Sequence, residues 1–126
     1  IDISDGLDNE ARLLAEASGA RLRIRLAALP VSLSLRAWAA ASPHRDPAAS
    51  VLYGGEDYEL LFATSAPPEV VHQIAAAAQP ETPIHEIGEV AARRRGGEVI
   101  YVNERNRPVE PPAGSVFQHF RRSRKP

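Results

Sequence analysis

The sequence contains no cysteine and no methionine, and its positive and negative charges nearly cancel. Without cysteine the chain has neither a disulfide framework nor a thiolate metal site, and this suits a cytoplasmic protein. The net charge of −1 gives no bulk attraction to nucleic acid or to an anionic membrane, so we expect neither as a partner. No apolar run approaches the ~20 residues that a membrane-spanning helix needs, and no signal peptide is visible.

The missing methionine also bears on domain organisation. The chain starts at Ile1, directly on a strand-like segment with a carboxylate motif, whereas natural chains begin with methionine and usually carry a few dispensable residues before their first element. With 126 residues, 44 % of them hydrophobic, the chain suffices for one domain with its own core. We therefore expect the C-terminal part of a longer protein, and any site here to be only part of a site.

Hydrophobic periodicity predicts strands that alternate with helices. The clearest strand is Tyr58 to Thr64, which is rich in aromatic and branched residues. Two late strands are joined by a short turn at Gly96-Gly97, and this combination favours an α+β fold with a mixed sheet and helices packed on one face. The other strands are predicted over 1–4, 21–26, 84–90 and 98–102, and two helices over 8–18 and 33–41. A third helix is predicted to start within 65–69 and to run to about Ala78, with Val70, Val71, Ile74 and Ala78 facing the core.

The segment Asp2-Ile-Ser-Asp-Gly-Leu combines two carboxylates with a glycine turn ahead of a helix. Its alternation places Asp2 and Ser4 on one face of a strand. A helix N-terminus favours phosphate, which Asp2 and Asp5 would repel unless Mg²⁺ bridges carboxylate and phosphate. Ser4 could then donate a hydrogen bond to a phosphate oxygen. The alternative is that Ser4 or Asp5 caps the helix, and the spacing alone leaves both interpretations open.

A second acidic segment, Gly-Gly-Glu-Asp-Tyr-Glu-Leu, occupies residues 54–60. Two glycines before a strand let the backbone turn tightly or approach a ligand, and Glu56 and Asp57 would then lie at the mouth of that strand. The alternative is a solvated acidic turn with no ligand. Packed carboxylates repel one another, so a metal ion or a cationic ligand is the usual reason to gather the acidic side chains of both segments.

These two segments resemble the motifs of thiamine-phosphate kinase, which belongs to the superfamily of aminoimidazole ribonucleotide synthetase and selenophosphate synthetase. The closing segment 116–120, Val-Phe-Gln-His-Phe, is similar to the last motif of the family. The resemblance covers residues 1–120 and corresponds to the C-terminal domain of the family, followed by a basic tail at 121–126. It implies an α+β fold for this domain, a missing N-terminal domain that supplies most phosphate and metal ligands, and a homodimer of the full-length protein.

The resemblance also implies an activity, in which the γ-phosphoryl group of ATP is transferred to thiamine monophosphate by direct in-line attack with Mg²⁺, giving thiamine diphosphate. No protein nucleophile is implied, and the sequence shows no arrangement of a Ser/His/Asp or Cys/His kind. Asp2 and Asp5 match the magnesium-binding aspartates of the family, and Ser4 matches a contact to ATP. The substrate contacts carried over are Glu56, whose charge suits the cationic thiamine, and Phe117, on which the thiamine ring could stack, with Asp57 as a further candidate behind them.

Two positions depart from the pattern of the family. Glu10 stands where an aspartate is usual, and Val116 stands where a glycine is typical before Phe117. The chain alone is expected to be inactive or nearly so, because most ligands of the full site lie elsewhere. The alternatives are another ATP-using synthetase or maturation factor of the same superfamily, in which Glu56 and Phe117 need not share a cleft, and a non-catalytic binding domain.

Overall fold

The structure is a computed structural model that describes residues 1–56, 58–93 and 95–114, with residues 92 and 93 described by their backbone alone. Strands and helices alternate along most of the chain, except for two successive helices in its middle and two successive strands near its end. In chain order the elements are β1 (Asp2–Ile3), α1 (Leu7–Ser18), β2 (Ala20–Arg25), a 3₁₀ turn (Leu26–Ala28), α2 (Leu33–Ala40), α3 (Pro47–Tyr53), β3 (Glu59–Leu60), α4 (Pro68–Ala78), β4 (Gly88–Arg93) and β5 (Glu98–Val102).

Helix α1 forms because its apolar residues recur on one side. Leu7, Ala11 and Ala15 are buried, and Leu14 packs against the same core while partly exposed, as the spacing predicts. The helix ends at Gly19, whose φ of 55° lies in the left-handed region that glycine adopts without steric cost. The predicted C-terminus of this helix is therefore confirmed.

A three-stranded mixed sheet lies against α1. The central strand is β2, with β4 antiparallel on one side and β5 parallel on the other. Leu22 and Ile24 alternate on the buried face of β2 and join Leu29, Leu52 and Tyr101 in the core that α1 covers. The predicted α+β fold with a mixed sheet is thereby confirmed. Within the described ranges, no helix has both the length and the apolar character that crossing a membrane requires.

The face of the sheet opposite this core carries arginines. Because side chains alternate along a strand, the arginines of β2 point away from its buried residues. Exposed ion pairs of this kind contribute only ~0.2–1 kcal/mol each, so this face is a solvated surface and not a second core. Each arginine is paired with a carboxylate from a neighbouring segment: Arg21 with Glu98, Arg23 with Glu89, and Arg25 with Glu86.

The glycine turn between β4 and β5 joins strands that are not neighbours. The two strands lie on opposite sides of β2, so the chain crosses the end of β2 and passes the C-terminal part of α1. At Gly97, where φ is 70°, a side chain would overlap the backbone of Ala15 and Glu16. Glycine is therefore required here by the close approach of two backbones as well as by its φ.

The predicted strand over 58–64 is much shorter in the structure. Only Glu59 and Leu60 form β3, which pairs antiparallel with β1. Because β1 offers only two residues and no other described strand borders β3, the ladder ends before Phe62. Aromatic and branched residues favour a strand only where a partner strand or a packed face supports it.

Helix α4 forms as predicted, but the prediction that its apolar face points into the core is wrong. No residue of α4 is buried, and the side chain of Ile74 is 64 % exposed. Periodicity identifies an amphipathic helix, whereas burial needs a surface to pack against. In the described part of the chain α4 borders an open apolar groove, whose lining also includes Phe62 and Ile84. The residues to which this correction applies are Val70, Val71, Ile74 and Ala78.

The prediction from the sequence missed helix α3. Its start carries a recognisable signal, because Asp46 accepts a hydrogen bond from the Ala48 N–H at 2.8 Å and Pro47 occupies the first turn. The helix buries Leu52 completely and ends directly before Gly54. It therefore anchors the start of the second acidic segment to the core.

Candidate functional site

The two acidic segments lie side by side. Strands β1 and β3 pair with each other, and this pairing continues in hydrogen bonds outside the strands. The Glu56 N–H donates to the Ser4 carbonyl at 2.8 Å, and the Tyr58 N–H donates to the Ile3 carbonyl at 3.2 Å. Segments that are distant in the sequence therefore share one small sheet, which brings Ser4 next to Glu56.

A glycine lets the two segments approach closely. Gly6 has a φ of 102°, in the region that residues with a Cβ atom rarely adopt. A Cβ atom at this position would lie 2.8 Å from the Leu52 carbonyl oxygen and 2.9 Å from that of Gly54. The turn that follows Asp5 is thus packed directly against the backbone that leads into the second segment.

The interpretation that Ser4 or Asp5 caps α1 is wrong. The N-cap residue is Gly6, and no side chain makes a capping hydrogen bond there. A carboxylate from inside the helix reaches back instead: Glu10 Oε1 accepts from the Asp5 N–H at 3.3 Å and from the Ser4 hydroxyl at 3.4 Å. Only 3 % of Glu10 is exposed, and its Oε2 has no hydrogen-bond partner among the described residues.

The second segment contains residues in the left-handed region of the backbone. Glu56 has a φ of 65° and Tyr58 a φ of 54°, although neither is glycine. Such positions cost on the order of 1 kcal/mol each and persist only where surrounding structure holds them. Here the bonds to Ser4 and Ile3 hold them. Strained backbone of this kind is concentrated at functional sites, which favours a ligand site over an idle turn.

The predicted ligands differ in exposure. Asp2 and Glu56 are exposed, whereas Ser4 and Asp5 are partly buried in the turn ahead of α1. The structure thus brings together the four predicted residues that it describes, in one surface region around the β1–β3 pair.

The remaining predicted residues are Asp57 and Phe117, which lie outside the described residues. Their assignments stay predictions. Val116 lies outside the described residues as well, so the expectation that it alters the chain path before Phe117 also stays a prediction.

The donor set fits Mg²⁺ in its chemistry. Asp2 and Asp5 offer the hard carboxylate oxygens that this ion prefers. In the described ranges no three acidic or histidine side chains come close enough to form a protein cage. Magnesium usually binds through one or two carboxylates together with water and substrate phosphates, so this set suits an ion shared with a phosphate.

A second buried carboxylate lies on the same helix. Asp8, only 6 % exposed, accepts a hydrogen bond from the Tyr101 hydroxyl at 2.5 Å and a two-pronged contact from Arg12 at 2.9 and 3.0 Å. Burial raises the pKa of the Tyr101 phenol, and the bond to Asp8 raises it further. The hydrogen bond to Asp8 likewise raises the pKa of Arg12. This network ties the first turns of α1 to β5.

Neither buried carboxylate was predicted from the sequence to take part in the site. A signal was present, since Glu10 stands three residues after Leu7 and Asp8 stands three before Ala11, within the apolar stripe of α1. A carboxylate inside an apolar stripe must find hydrogen-bond donors, because burying it alone is costly. Which donors it finds depends on tertiary contacts that the periodicity does not contain.

A scan of the sequence against protein-family models produced no match, whereas a search of curated proteins found thiamine-monophosphate kinases. The thiamine-monophosphate kinase of Caulobacter vibrioides is 34 % identical over 111 residues, which cover 87 % of this chain and 30 % of that protein. The thiamine-monophosphate kinase of Aquifex aeolicus is 42 % identical over 62 residues, which cover 49 % of this chain and 20 % of that protein.

Solved structures agree with the sequence comparison. A solved structure of AaThiL complexed with AMPPCP and TMP is similar to this chain, with a TM-score of 0.64 and 32 % sequence identity. The match covers 95 % of this chain and 33 % of the solved chain. The resemblance to thiamine-phosphate kinase is confirmed. Thiamine-monophosphate kinase from Stenotrophomonas maltophilia K279a also matches with a TM-score of 0.64, at 30 % identity over 79 % of this chain and 30 % of that one. The chain spans no more than about a third of the length of the thiamine-monophosphate kinases that it matches.

Proposed function

We propose that this chain forms the C-terminal part of the active site of a thiamine-phosphate kinase. The observation that carries the proposal is the pairing of the two acidic segments, with the Glu56 N–H bonded to the Ser4 carbonyl at 2.8 Å. This pairing sets the segment matched to ATP and metal beside the segment matched to the phosphate acceptor, as transfer between two bound ligands requires. The names of the relatives, and a neighbour complexed with AMPPCP, an ATP analogue, and TMP, support the same assignment.

In the proposed reaction the chain binds and orients its ligands. A phosphate oxygen of thiamine monophosphate forms a bond to the γ-phosphorus of ATP, the bond from that phosphorus to the bridging oxygen breaks, and ADP leaves. No side chain of the protein is phosphorylated, and positioning carries most of the catalysis. When bound, Mg²⁺ supplies positive charge against the crowded phosphate oxygens.

Each assigned residue has a role that suits its chemistry. Asp2 and Asp5 are assigned to Mg²⁺, and Ser4 to ATP. The exposed carboxylate of Glu56 is assigned to the cationic thiamine, with Phe117 stacking on the ring. Asp57 is assigned a place behind Glu56 and Phe117, where it would support their contacts to thiamine without touching the substrate.

The wider setting of the proposal consists of predictions. An N-terminal domain that supplies further ligands and a homodimer of the longer protein are implied by the resemblance, and a cytoplasmic location is suggested by the absence of cysteine. Because further ligands are expected from the N-terminal domain, the first test measures binding and not turnover.

The test is a titration of the folded chain of 126 residues with Mg²⁺, AMPPCP and thiamine monophosphate, followed by backbone amide NMR. We expect AMPPCP to shift the amides of residues 4–6 only when Mg²⁺ is present. Asp2→Asn and Asp5→Asn should each weaken this response at least about tenfold, because each removes a charged oxygen ligand. Thiamine monophosphate should shift the amide of Glu56.

The matched control is Glu81→Gln, which removes the same charge at an exposed position outside the acidic segments. It should leave the titrations unchanged. Binding that ignores Asp2→Asn and Asp5→Asn, or shifts located away from both acidic segments, would contradict the proposal. Robust formation of thiamine diphosphate by this chain alone would contradict the assignment of only part of the site to it.

A further inference from the structure

We propose that Tyr53 is a positioning residue, whose ring holds the β5 extension against the second acidic segment. The β5 extension comprises residues 103–114, which follow the last strand. The consequence for the binding of thiamine monophosphate rests on the proposed function, whereas the geometry of the contact does not.

The β5 extension has little freedom between its two ends. Near β5 the Val109 N–H donates to the Tyr101 carbonyl at 3.0 Å, and Val109 packs against the core. Pro111 and Pro112 follow, and each proline ring fixes its backbone φ. The path from Val109 to Gly114 is therefore stiff, so a contact at Gly114 holds the far end of the β5 extension in one place.

Gly114 lies directly against the ring of Tyr53. A Cβ atom at Gly114 would overlap the Cδ2 and Cε2 atoms of this ring and lie 2.9 Å from its Cγ atom. The φ of Gly114 is outside the left-handed region, so the backbone would accept alanine. Glycine is therefore needed here for the close approach to Tyr53 and not for its own conformation.

Tyr53 also borders both acidic segments. It is the last residue of α3, and Glu56 follows three residues later. A Cβ atom at Gly6 would lie 3.1 Å from the Tyr53 Cα atom, so the turn after Asp5 packs on the Tyr53 backbone. The Tyr53 ring packs against the core, where burial raises the pKa of its phenol and the charge of Asp8 raises it further. Tyr53 therefore links the β5 extension to both acidic segments.

The contact brings the chain beyond Gly114 within reach of the second acidic segment. Glu56 follows Tyr53 by three residues, and Phe117 follows Gly114 by three residues. A chain extends by at most ~3.6 Å per residue, so each of these two residues lies within roughly 11 Å of the contact. Glu56 and Phe117, both assigned to thiamine, can therefore meet one ligand. Without the contact the chain would be fixed only at Val109, and the range open to Phe117 would be much larger.

Three substitutions test the ring and its partner separately. Tyr53→Phe keeps the ring and removes the hydroxyl, and Tyr53→Leu removes the ring. Gly114→Ala adds a methyl group that displaces the ring. The matched control is Ala113→Ser, which adds one heavy atom at the adjacent exposed position. Positioning by the ring predicts that Tyr53→Phe and Ala113→Ser behave like the wild type, and that Tyr53→Leu and Gly114→Ala share one defect.

The first measurement needs no ligand. An aromatic ring in contact with Gly114 shifts the NMR resonances of its α-protons away from their random-coil values. This ring-current shift should be retained in Tyr53→Phe and in Ala113→Ser, and it should be lost in Tyr53→Leu. The amide resonance of Ile24, in the central strand, reports that the core stays folded in each variant.

The second measurement separates the two ligands. Thiamine monophosphate, followed at the Glu56 amide, should bind at least about fivefold more weakly to Tyr53→Leu and Gly114→Ala, and within about twofold of the wild type to Tyr53→Phe and Ala113→Ser. The Mg²⁺-dependent response of residues 4–6 to AMPPCP should stay within about twofold in all four variants, because the Tyr53 backbone that packs on Gly6 is unchanged. A merely structural role would weaken both responses together.

A double-mutant cycle tests whether the two residues act through each other. Gly114→Ala acts through the ring, so in the Tyr53→Leu background it should weaken the binding of thiamine monophosphate by less than about twofold. Effects of the two substitutions that simply multiply would show that Gly114 does not act through Tyr53.

The positioning role is overturned by Gly114 resonances that are the same in Tyr53→Leu and in the wild type, by full binding of thiamine monophosphate to Tyr53→Leu, or by equal loss of both ligand responses. If Tyr53→Leu does not fold, Gly114→Ala decides alone, and full binding of thiamine monophosphate to that variant overturns the role. If Gly114 shows the ring-current shift but the wild-type chain never responds to thiamine monophosphate, the positioning of the β5 extension stands and the kinase assignment fails.

Discussion

At the scale of single residues, the backbone of Glu56 gives a test of whether the site stores strain. Its φ of 65° penalises any side chain, so Glu56→Gly should be more stable than Glu56→Ala by about 1 kcal/mol. At Glu59, which lies in β3, the order of stability should be reversed. Glu59→Ala should be more stable than Glu59→Gly by about 0.5–1 kcal/mol. The measurement is the midpoint of urea unfolding for the four variants.

If the Ala variant were more stable than the Gly variant by the same amount at Glu56 and at Glu59, the backbone of Glu56 would not be strained. Both Glu56 variants should also lose the response to thiamine monophosphate, because both remove the carboxylate assigned to the cationic ring. Stability and ligand binding then change in opposite directions in Glu56→Gly, as is common where function requires a strained residue.

A second prediction at this scale concerns Tyr101. Its hydroxyl donates to Asp8 at 2.5 Å in the core, so Tyr101→Phe should lower the free energy of unfolding by about 1.5–3 kcal/mol at neutral pH. Because burial raises the pKa of Tyr101, the folded state keeps this proton when the unfolded state releases it above about pH 10. The contribution is therefore complete below pH 10 and lost as the pH rises further.

The check is urea unfolding of both proteins from pH 7 to 11, where the stability difference between wild type and Tyr101→Phe should shrink above about pH 10. Tyr58→Phe serves as the control, because the Tyr58 side chain is 75 % exposed and should contribute little at any pH. A difference that stays constant across this range would show that Tyr101 does not keep its proton through burial and the bond to Asp8.

Residue by residue, the sequence singled out candidate members of the site and not the contacts that support them. Asp2, Ser4, Asp5 and Glu56 were chosen from motif, residue type and the resemblance, and the structure places their segments side by side, while their roles stay predictions. Glu10 was noted only as a departure from a pattern, because its hydrogen bonds to Ser4 and Asp5 depend on its distance from a turn. That distance is a property of the folded chain and not of local periodicity.

At the scale of elements, the crossover from β4 to β5 can be tested with two adjacent glycines. Both have positive φ, 86° at Gly96 and 70° at Gly97. A Cβ atom at Gly96 meets nothing within 4 Å, whereas one at Gly97 would overlap the backbone of α1 at Ala15 and Glu16. Gly96→Ala should therefore cost about 1–2 kcal/mol through φ alone, and Gly97→Ala should cost at least about 2 kcal/mol more.

Thermal or urea unfolding of the two variants decides this prediction. Equal losses in Gly96→Ala and Gly97→Ala would mean that the crossover does not pass tightly against α1. Because both substitutions add the same methyl group at a similar φ, their difference isolates the steric contact.

The elements that the sequence predicted well are those with local causes. Helix α1 follows from its apolar stripe and from Gly19, and both are visible within a few residues. The strand over 58–64 was overestimated because its length depends on β1, which lies far away in the sequence and offers two residues. The order of the strands around β2 could not be predicted in the same way. Gly96 and Gly97 indicate a turn after β4, but they do not indicate that β2 lies between β4 and β5.

At the scale of the whole molecule, the packing is uneven. The core gathers α1, α3 and the three-stranded sheet, with Leu52 fully buried within it. Helix α4 has no buried residue. Since stability comes mainly from buried apolar area, the part of the chain around α4 should open locally well below the free energy of global unfolding.

This unevenness leads to a prediction with a matched pair of aliphatic truncations. Leu52→Ala should lower the free energy of unfolding by about 2–5 kcal/mol, because it leaves a cavity in the core. Ile74→Ala should change it by about 0.5 kcal/mol or less, because that side chain is 64 % exposed. In hydrogen exchange, amides of α4 should exchange by local opening, and amides of β2 only with global unfolding. A large loss in Ile74→Ala, or equal protection of α4 and β2, would show that α4 packs against this core in solution.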